Sequence, residues 1–371
     1  MHTAREARSR ATSPDSPDTG EHAKGERIGS TLSGTGPRTT FLAPVFTMPF
    51  AVGQVLAEKY VVDALIGVGG ISFVVAAFHR GLESQVALKF LRPEFAHHPE
   101  ASRRFVAEAK SNFKLHSEHI VRVLDVDRLA DGVPFMVMER LAGVELRALI
   151  ADRRVLPSEL AVDLALQACE ALATAHAARI VHQDIKPENL FVVSQSDRPH
   201  QLKLLDFGIC REVITRDRRA DRVMTSAAVG SPPYMSPEQV RGAADLDARS
   251  DIWSLGCVLY EMLSGRALFQ RASQAEEFAA VLEAPYVPLP ELVPTIAGEL
   301  DQVVARCLAK LPSERFQTVA ELADALVPFA PAHAYVHAAR CAQLLDEIAE
   351  RKSAVRLVVA SRPTATQSIK A

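Results

Sequence analysis

The stretch between residues 181 and 208 constrains this chain more than any other. It reads Val181-His182-Gln183-Asp184-Ile185-Lys186-Pro187-Glu188-Asn189-Leu190 and, after a polar insert, Leu204-Leu205-Asp206-Phe207-Gly208. Two acids, an amide and an ammonium follow apolar runs, which places them on loops carried by a rigid scaffold, where binding and catalytic groups are commonly found. Taken singly, each reads as a turn or cap residue, because Asp and Asn favour turns. The ordered run of eight residues with a second acidic motif close behind reverses that weighting.

The H-Q-D-I-K-P-E-N run followed by D-F-G resembles the catalytic loop and metal-binding segment of the eukaryotic-type (Hanks-type) protein kinases, whose pattern is H-R-D-L-x-x-x-N and then D-F-G. Moving a phosphoryl group needs a cation to neutralise phosphate oxygens, a carboxylate to orient the attacking hydroxyl, and positive charge at the transition state. The resemblance implies that Asp184 holds the substrate hydroxyl and that Lys186 lies near the transferred phosphate. It also implies Asn189 and Asp206 as ligands of Mg2+, a hard ion that takes oxygen donors.

From Tyr60 onward, short apolar runs separated by turn residues predict an antiparallel sheet. Residues 60–66 form its first predicted strand, which leads into Gly67-Val68-Gly69-Gly70-Ile71-Ser72-Phe73-Val74. The kinase loop G-x-G-x-x-G-x-V maps onto Gly67, Gly69, Ser72 and Val74, with serine in place of the third glycine. A lone glycine-rich turn is a weak signal. It gains weight from Val86-Ala87-Leu88-Lys89, which resembles the V-A-I-K strand whose lysine reaches the α- and β-phosphates. An amphipathic helix is predicted over residues 100–115, and Glu108 within it matches the glutamate that pairs with that lysine. Two further strands are predicted, over 120–126 and 134–139, and the second ends at the kinase hinge, with Met138 as gatekeeper. By resemblance, ATP would be contacted by Ile66, Gly67, Val68, Gly69, Gly70, Ile71, Ser72, Phe73 and Val74, by Ala87 and Lys89, by Glu139 and Leu141 of the hinge, and by Phe191.

Beyond Gly143 the pattern turns helical. Residues 158–178 predict a buried helix with Ser158 as N-cap. The polar segment 209–229 resembles an activation loop, with Thr215, Thr225 and Ser226 as phosphoacceptors. Gly230-Ser231-Pro232-Pro233-Tyr234-Met235-Ser236-Pro237-Glu238 resembles the G-T-x-x-Y-x-[AS]-P-E segment that meets the protein substrate. Together with Lys186 it favours Ser/Thr over Tyr as acceptor. Asp251 would hold the catalytic loop by hydrogen bonds to its backbone, and Arg315 would pair with Glu238.

Some nine motifs in family order over residues 54–329 imply an α+β fold of two lobes. The N-lobe, about 54–141, is an antiparallel sheet with one main helix; the C-lobe, about 142–329, is mostly helical. Residues 1–53, rich in Ser, Thr and Pro, bury too little to order and read as a disordered tail. Residues 330–371 hold a predicted helix over 334–352, packed on the kinase domain, and then a polar tail. The net charge of −3 makes no case for nucleic acid or an anionic membrane. No apolar run approaches the ~20 residues that span a bilayer. Five cysteines without a C-x-x-C pair fit reduced thiols in the cytoplasm.

The wording is closest to bacterial Ser/Thr kinases, and the implied activity is ATP- and Mg2+-dependent phosphorylation of Ser/Thr hydroxyls on proteins, with autophosphorylation. A pseudokinase scaffold is the alternative; keeping Lys89, Glu108, Asp184, Asn189 and Asp206 together argues against it, since a scaffold has no chemical need for all five. A kinase of small molecules is disfavoured by the 230–238 segment. One departure bears on regulation. Gln183 stands where most members have an arginine that helps bind a phosphorylated activation loop, and a neutral amide cannot make that charge-assisted bidentate contact.

Overall fold

The computed structural model describes residues 46–193, 199–207 and 231–360, the last of these by backbone alone beyond residue 347. The segment up to residue 45, the expected phosphoacceptors Thr215, Thr225 and Ser226, and Cys210 lie outside the described residues.

Strands β1 (Val55–Leu56), β2 (Tyr60–Val68), β3 (Ser72–His79), β4 (Ser84–Leu91), β5 (Val123–Arg128) and β6 (Pro134–Glu139) form one antiparallel sheet in the order β1-β2-β3-β4-β6-β5. Because side chains alternate along a strand, the register divides the sheet into two faces. Phe73 pairs with Phe90 and Phe90 with Phe135, and their rings stack at 5.3 and 5.2 Å. Phe50 closes over Phe90 at 4.9 Å. Phe50 lies in the segment whose composition predicts disorder, and its ring finds an apolar face to cover. The other face carries Ala87, Met136 and Met138 and packs on helix α2 (Pro99–Asn112) through Ala101, Phe105 and Ala109. The short helix α1 (Pro93–Ala96) precedes it. Helix α2 starts at Pro99, where a fixed φ suits the first turn, and His98 caps it by accepting from Ala101 N–H.

The second lobe opens with β7 (Gly143–Glu145), α3 (Leu146–Arg153) and α4 (Ser158–Ala177). Strands β8 (Leu190–Val193) and β9 (Gln201–Leu204) join β7 in a small sheet, which the sequence pattern does not announce. Helices α5 (Pro237–Val240), α6 (Ala248–Ser264), α7 (Gln274–Glu283), α8 (Leu289–Leu292), α9 (Gly298–Cys307), α10 (Val319–Leu326) and α11 (Tyr335–Ala360) complete it. Ser158 does not cap α4, contrary to expectation. Pro157 occupies the N-cap position, and its carbonyl accepts the first bond, from Ala161 N–H at 3.0 Å. Helix α4 is buried nearly all round and crosses α6 at the centre of the core. At Gly256 in α6 a Cβ would collide with Cys307 of α9, so that contact requires glycine. The four described cysteines, Cys169, Cys257, Cys307 and Cys341, are free and buried. Helix α11 runs eight residues past its predicted end at Lys352, since no breaker interrupts the chain before Pro363. Among the described residues no helix is long and apolar enough to cross a membrane.

Two side chains far apart in sequence lock the C-lobe. The Arg315 guanidinium, fully buried, meets Glu238 in a bidentate pair at 2.7 and 2.8 Å and donates as well to the carbonyls of Ala309 and Arg249. Burial works against the Glu238 charge, but Arg315 overrides it and holds the carboxyl below its ordinary 4.5. A lowered folded-state pKa contributes stability above pH 4.5 and loses it as pH falls through the folded value. Arg315→Ala strands a buried carboxylate and is expected to lose roughly 3–5 kcal/mol in urea unfolding at neutral pH; a loss below about 1 kcal/mol would reduce the pair to a surface contact. Glu238→Gln, followed by the same assay from pH 6 to 3, should unfold with a shallower acid dependence than wild type.

Candidate active site

The catalytic-loop segment is held from beneath by one carboxylate. Asp251, in the first turn of α6 and 0% exposed, accepts from Gln183 N–H at 2.8 Å and His182 N–H at 2.9 Å, and its Oδ2 lies 2.8 Å from His176 Nε2. Gln183 adopts a left-handed backbone, φ 65°. Such a conformation costs a non-glycine residue about 1–3 kcal/mol. Two hydrogen bonds to a charged group, each about 1.5–3 kcal/mol, outweigh it. Gln239, whose side-chain oxygen accepts from Ser236 N–H in a capping box, donates its amide to the Gln183 carbonyl at 2.9 Å. The loop is therefore gripped at both its N–H and its C=O.

This fixed turn delivers the polar cluster. Lys186 Nζ lies 3.0 Å from Asp184 Oδ2. Asn189 Nδ2 donates to the Asp184 carbonyl at 2.8 Å and to Asp184 Oδ2 at 2.7 Å. With the nitrogen so used, the Asn189 amide oxygen is the atom left to meet a cation. His182 Nε2 contacts the Leu205 carbonyl at 2.8 Å, and its ring packs 4.6 Å from Phe207. Burial lowers the His182 pKa, favouring the neutral ring.

Across the cleft, Lys89 Nζ sits between Glu108 Oε1 at 3.1 Å and Asp206 Oδ1 at 2.7 Å. Burial opposes the charge on Asp206, yet the adjacent ammonium keeps its carboxyl below the usual range. Asn189 and Asp206 offer oxygen donors within one cavity, a set that fits a hard divalent cation. The glycine turn between β2 and β3 closes through Gly69 N–H to the Ser72 carbonyl at 2.7 Å.

A cavity of about 370 Å3 collects these groups: the turn from Gly67 to Ser72 with Val74, then Lys89, Glu108, Asp184, Lys186, Asn189 and Asp206. Six expected nucleotide contacts are not in its wall. Phe73 is a correction: at 1% exposure it stacks on Phe90, on the sheet face opposite Lys89, because Val74 is the residue paired with Lys89. Ile66 is 40% exposed at the end of β2. Ala87 and Leu141 belong with Val74 and Leu205 to the apolar cluster behind the cavity. The Glu139 carboxylate is taken by Lys203 Nζ at 2.7 Å and Arg122 N–H at 2.8 Å. Phe191 pairs with Lys203 in the small sheet.

Other wall residues were not among the expected contacts: Glu145 lies in no quoted motif, while Glu188, Leu205 and Ser231 lie in quoted stretches that gave them no role at the site. Arg147 was equally silent in the sequence. It ties Glu188 of the catalytic loop to Glu261 of α6 and to the Tyr234 hydroxyl. The S-x-x-Q capping pattern at Ser236–Gln239 was the one available signal for Gln239.

A family model described as the protein kinase domain matches residues 60–326. The chain is 38% identical over 303 residues to "Probable serine/threonine-protein kinase PknB" of Corynebacterium glutamicum, covering 80% of this chain and 46% of that protein. It is 36% identical over 276 residues to serine/threonine-protein kinase PknB of Mycobacterium tuberculosis, covering 73% and 43%. The chain thus spans less than half the length of these curated relatives. A crystal structure of the M. tuberculosis PknI kinase domain superposes with a TM-score of 0.60 at 28% identity, covering 76% of this chain and 98% of that one. The chain belongs to the protein kinase family, and its relatives are the bacterial Hanks-type serine/threonine kinases.

Proposed function

We propose that this chain transfers the γ-phosphate of ATP, with Mg2+, to serine or threonine hydroxyls of proteins, itself included. The observation that carries the reading is the meeting in one cavity of the Lys89–Glu108 pair with Asp206 and the Asp184–Lys186–Asn189 cluster. Glu108 keeps Lys89 charged and aimed at the cleft, where it would meet the α- and β-phosphates. The amides of the turn from Gly67 to Ser72 would face the phosphate oxygens. Asn189 and Asp206 would hold the cation, which when bound neutralises phosphate charge. Asp184, oriented by Asn189, would accept the hydrogen bond of the acceptor hydroxyl and take its proton as the new P–O bond forms and the bond from the γ-phosphorus to the β-phosphate oxygen breaks, releasing ADP. Lys186 would offset the charge of the transferring group. The 230–238 segment, whose Ser231 reaches the cavity wall, favours a protein acceptor. Residues 54–329 are the proposed catalytic domain, and reduced thiols with ATP dependence favour the cytoplasm.

Labelled ATP with Mg2+, offered with a generic basic protein, tests this. Asp184→Asn, isosteric but unable to take a proton, should transfer phosphate about 10^2–10^4-fold more slowly with ATP binding kept; a variant as fast as wild type would remove Asp184 from the reaction, and a wild type that binds ATP without transfer would point to a scaffold.

Gln183 presents an amide where a phosphate-binding arginine would stand, and its backbone is already fixed by Asp251 and Gln239. The loop geometry accordingly needs no phosphate to assemble it. Thr215→Ala, Thr225→Ala and Ser226→Ala combined should keep most of the activity; near-complete loss in a folded variant would show that another basic residue, such as Arg211, serves a phosphorylated loop.

A further inference from the structure

Outside the cleft, among the described residues, His119, Glu170 and His337 bring three ligand atoms within 4.8 Å of one another. They come from three separate places: the turn that bridges to β9, helix α4 and helix α11. His119 is 3% exposed, and its Nδ1 lies 3.0 Å from the Leu202 carbonyl. A carbonyl only accepts, so Nδ1 carries the hydrogen. With the hydrogen on Nδ1 and no acceptor within hydrogen-bond reach of the other ring nitrogen, Nε2 presents a lone pair. That nitrogen is buried without a hydrogen-bond partner. The nearest carboxylate oxygen, Glu170 Oε2, is 3.7 Å away, beyond hydrogen-bond reach and itself an acceptor. Leaving a buried acceptor unsatisfied is unfavourable. On the far side, His337 Nδ1 meets the same Glu170 oxygen at 2.6 Å, and the two imidazoles approach edge to face at 4.8 Å.

We propose that His119, Glu170 and His337 form a site for a borderline divalent transition metal, best fitted by Zn2+, that staples α11 to the C-lobe. Two imidazoles and one carboxylate are a zinc donor set, with water filling a fourth position. A ligand histidine whose other N–H is held by a backbone carbonyl is the ordinary outer-sphere arrangement, and it aims Nε2. Metal–ligand bonds of about 2.0–2.2 Å in a tetrahedron set donors about 3.3 Å apart. The 3.7 Å gap closes slightly and the 2.6 Å contact opens, releasing the proton shared by His337 and Glu170. Arg340 Nη1, 3.2 Å from Glu170 Oε1, opposes a cation; its side chain is 45% exposed and already pairs with Glu118 at 2.7 Å, so it can turn outward. Mg2+ demands an octahedron of oxygens, which separates this cluster from the cleft.

The full chain, stripped with a chelator and titrated with ZnCl2 in excess Mg2+, is expected to bind one Zn2+ and to gain thermal stability as free Zn2+ rises. His337→Ala, at a side chain 12% exposed on α11, and Glu170→Gln should each weaken binding about 100-fold or more, beyond the ~10–100-fold that outer-sphere changes cost. Asp206→Asn should bind Zn2+ as wild type does. Co2+ in the same site should give the visible absorption of a low-coordinate ion, lost in His337→Ala, which serves if Glu170→Gln fails to fold. No stoichiometric Zn2+ in the presence of Mg2+ would overturn the site. Undiminished binding by His337→Ala would do so as well, assigning the metal to the cleft or the thiols and leaving the cluster a hydrogen-bonded latch.

Discussion

The site rests on a carboxylate that touches no substrate. Asp251 is inaccessible to water and accepts two consecutive backbone N–H groups, those of His182 and Gln183. A buried carboxylate without donors would be strongly unfavourable, and a left-handed Gln183 without support would relax. Each cost is met by the other group, and the result is a turn with one geometry. From that turn Asp184, Lys186 and Asn189 project into the cavity as a set. Since α6 is anchored in the apolar core through Ile252, Trp253 and Leu255, the precision of the polar cluster is inherited from packing.

A second constraint joins the lobes. Lys89 comes from the sheet, Glu108 from the helix behind it and Asp206 from the C-lobe, and one buried ammonium touches both acids. Moving Asp206 away would remove one of the two acids that the Lys89 ammonium touches, so lobe placement and the electrostatics of the cavity are one problem. The backbone reinforces the joint: Val121 N–H donates to the Leu204 carbonyl at 2.9 Å and Leu204 N–H to the His119 carbonyl at 2.8 Å. A chain that has just left α2 is thereby tied to the strand that leads to Asp206.

Much of this was legible because phosphate chemistry tolerates few residue types. The catalytic loop, the Lys89 strand, the Glu108 helix and the Glu238–Arg315 pair are each carried by a local motif, and motif order implied the two lobes. What escaped depends on facing. Strand alternation puts Val74 beside Lys89 and therefore turns Phe73 to the opposite face, but that follows only once the register of β3 on β4 is known. Likewise Arg147 and Gln239 act on partners distant in sequence, Glu261 and Gln183; nothing local marks Arg147, and the capping pattern at Gln239 does not point to Gln183. The role of Phe50 was hidden because it lies in a short apolar run broken by Pro44 and Pro49, and its partner rings lie on strands 23 and more residues away.

The family match ends at residue 326, yet the packing does not. Helix α4 buries two acids, Asp163 and Glu170, on the side away from the cleft. Asp163 meets Gln167 and His333; Glu170 meets His337 and Arg340, with His119 nearby. Burial opposes the charge of Glu170, and His337 first among its neighbours brings its pKa below the usual range. Three of these partners lie past residue 330, on or just before α11, while Ala334, Ala338 and Cys341 seal the apolar part of the same face. A chain ending at residue 326 would strip Glu170 of His337 and Arg340 and open the apolar part of the same face to water. Helix α11 is therefore part of the C-lobe core in the physical sense, since the acids on α4 are compatible with burial only when it is in place.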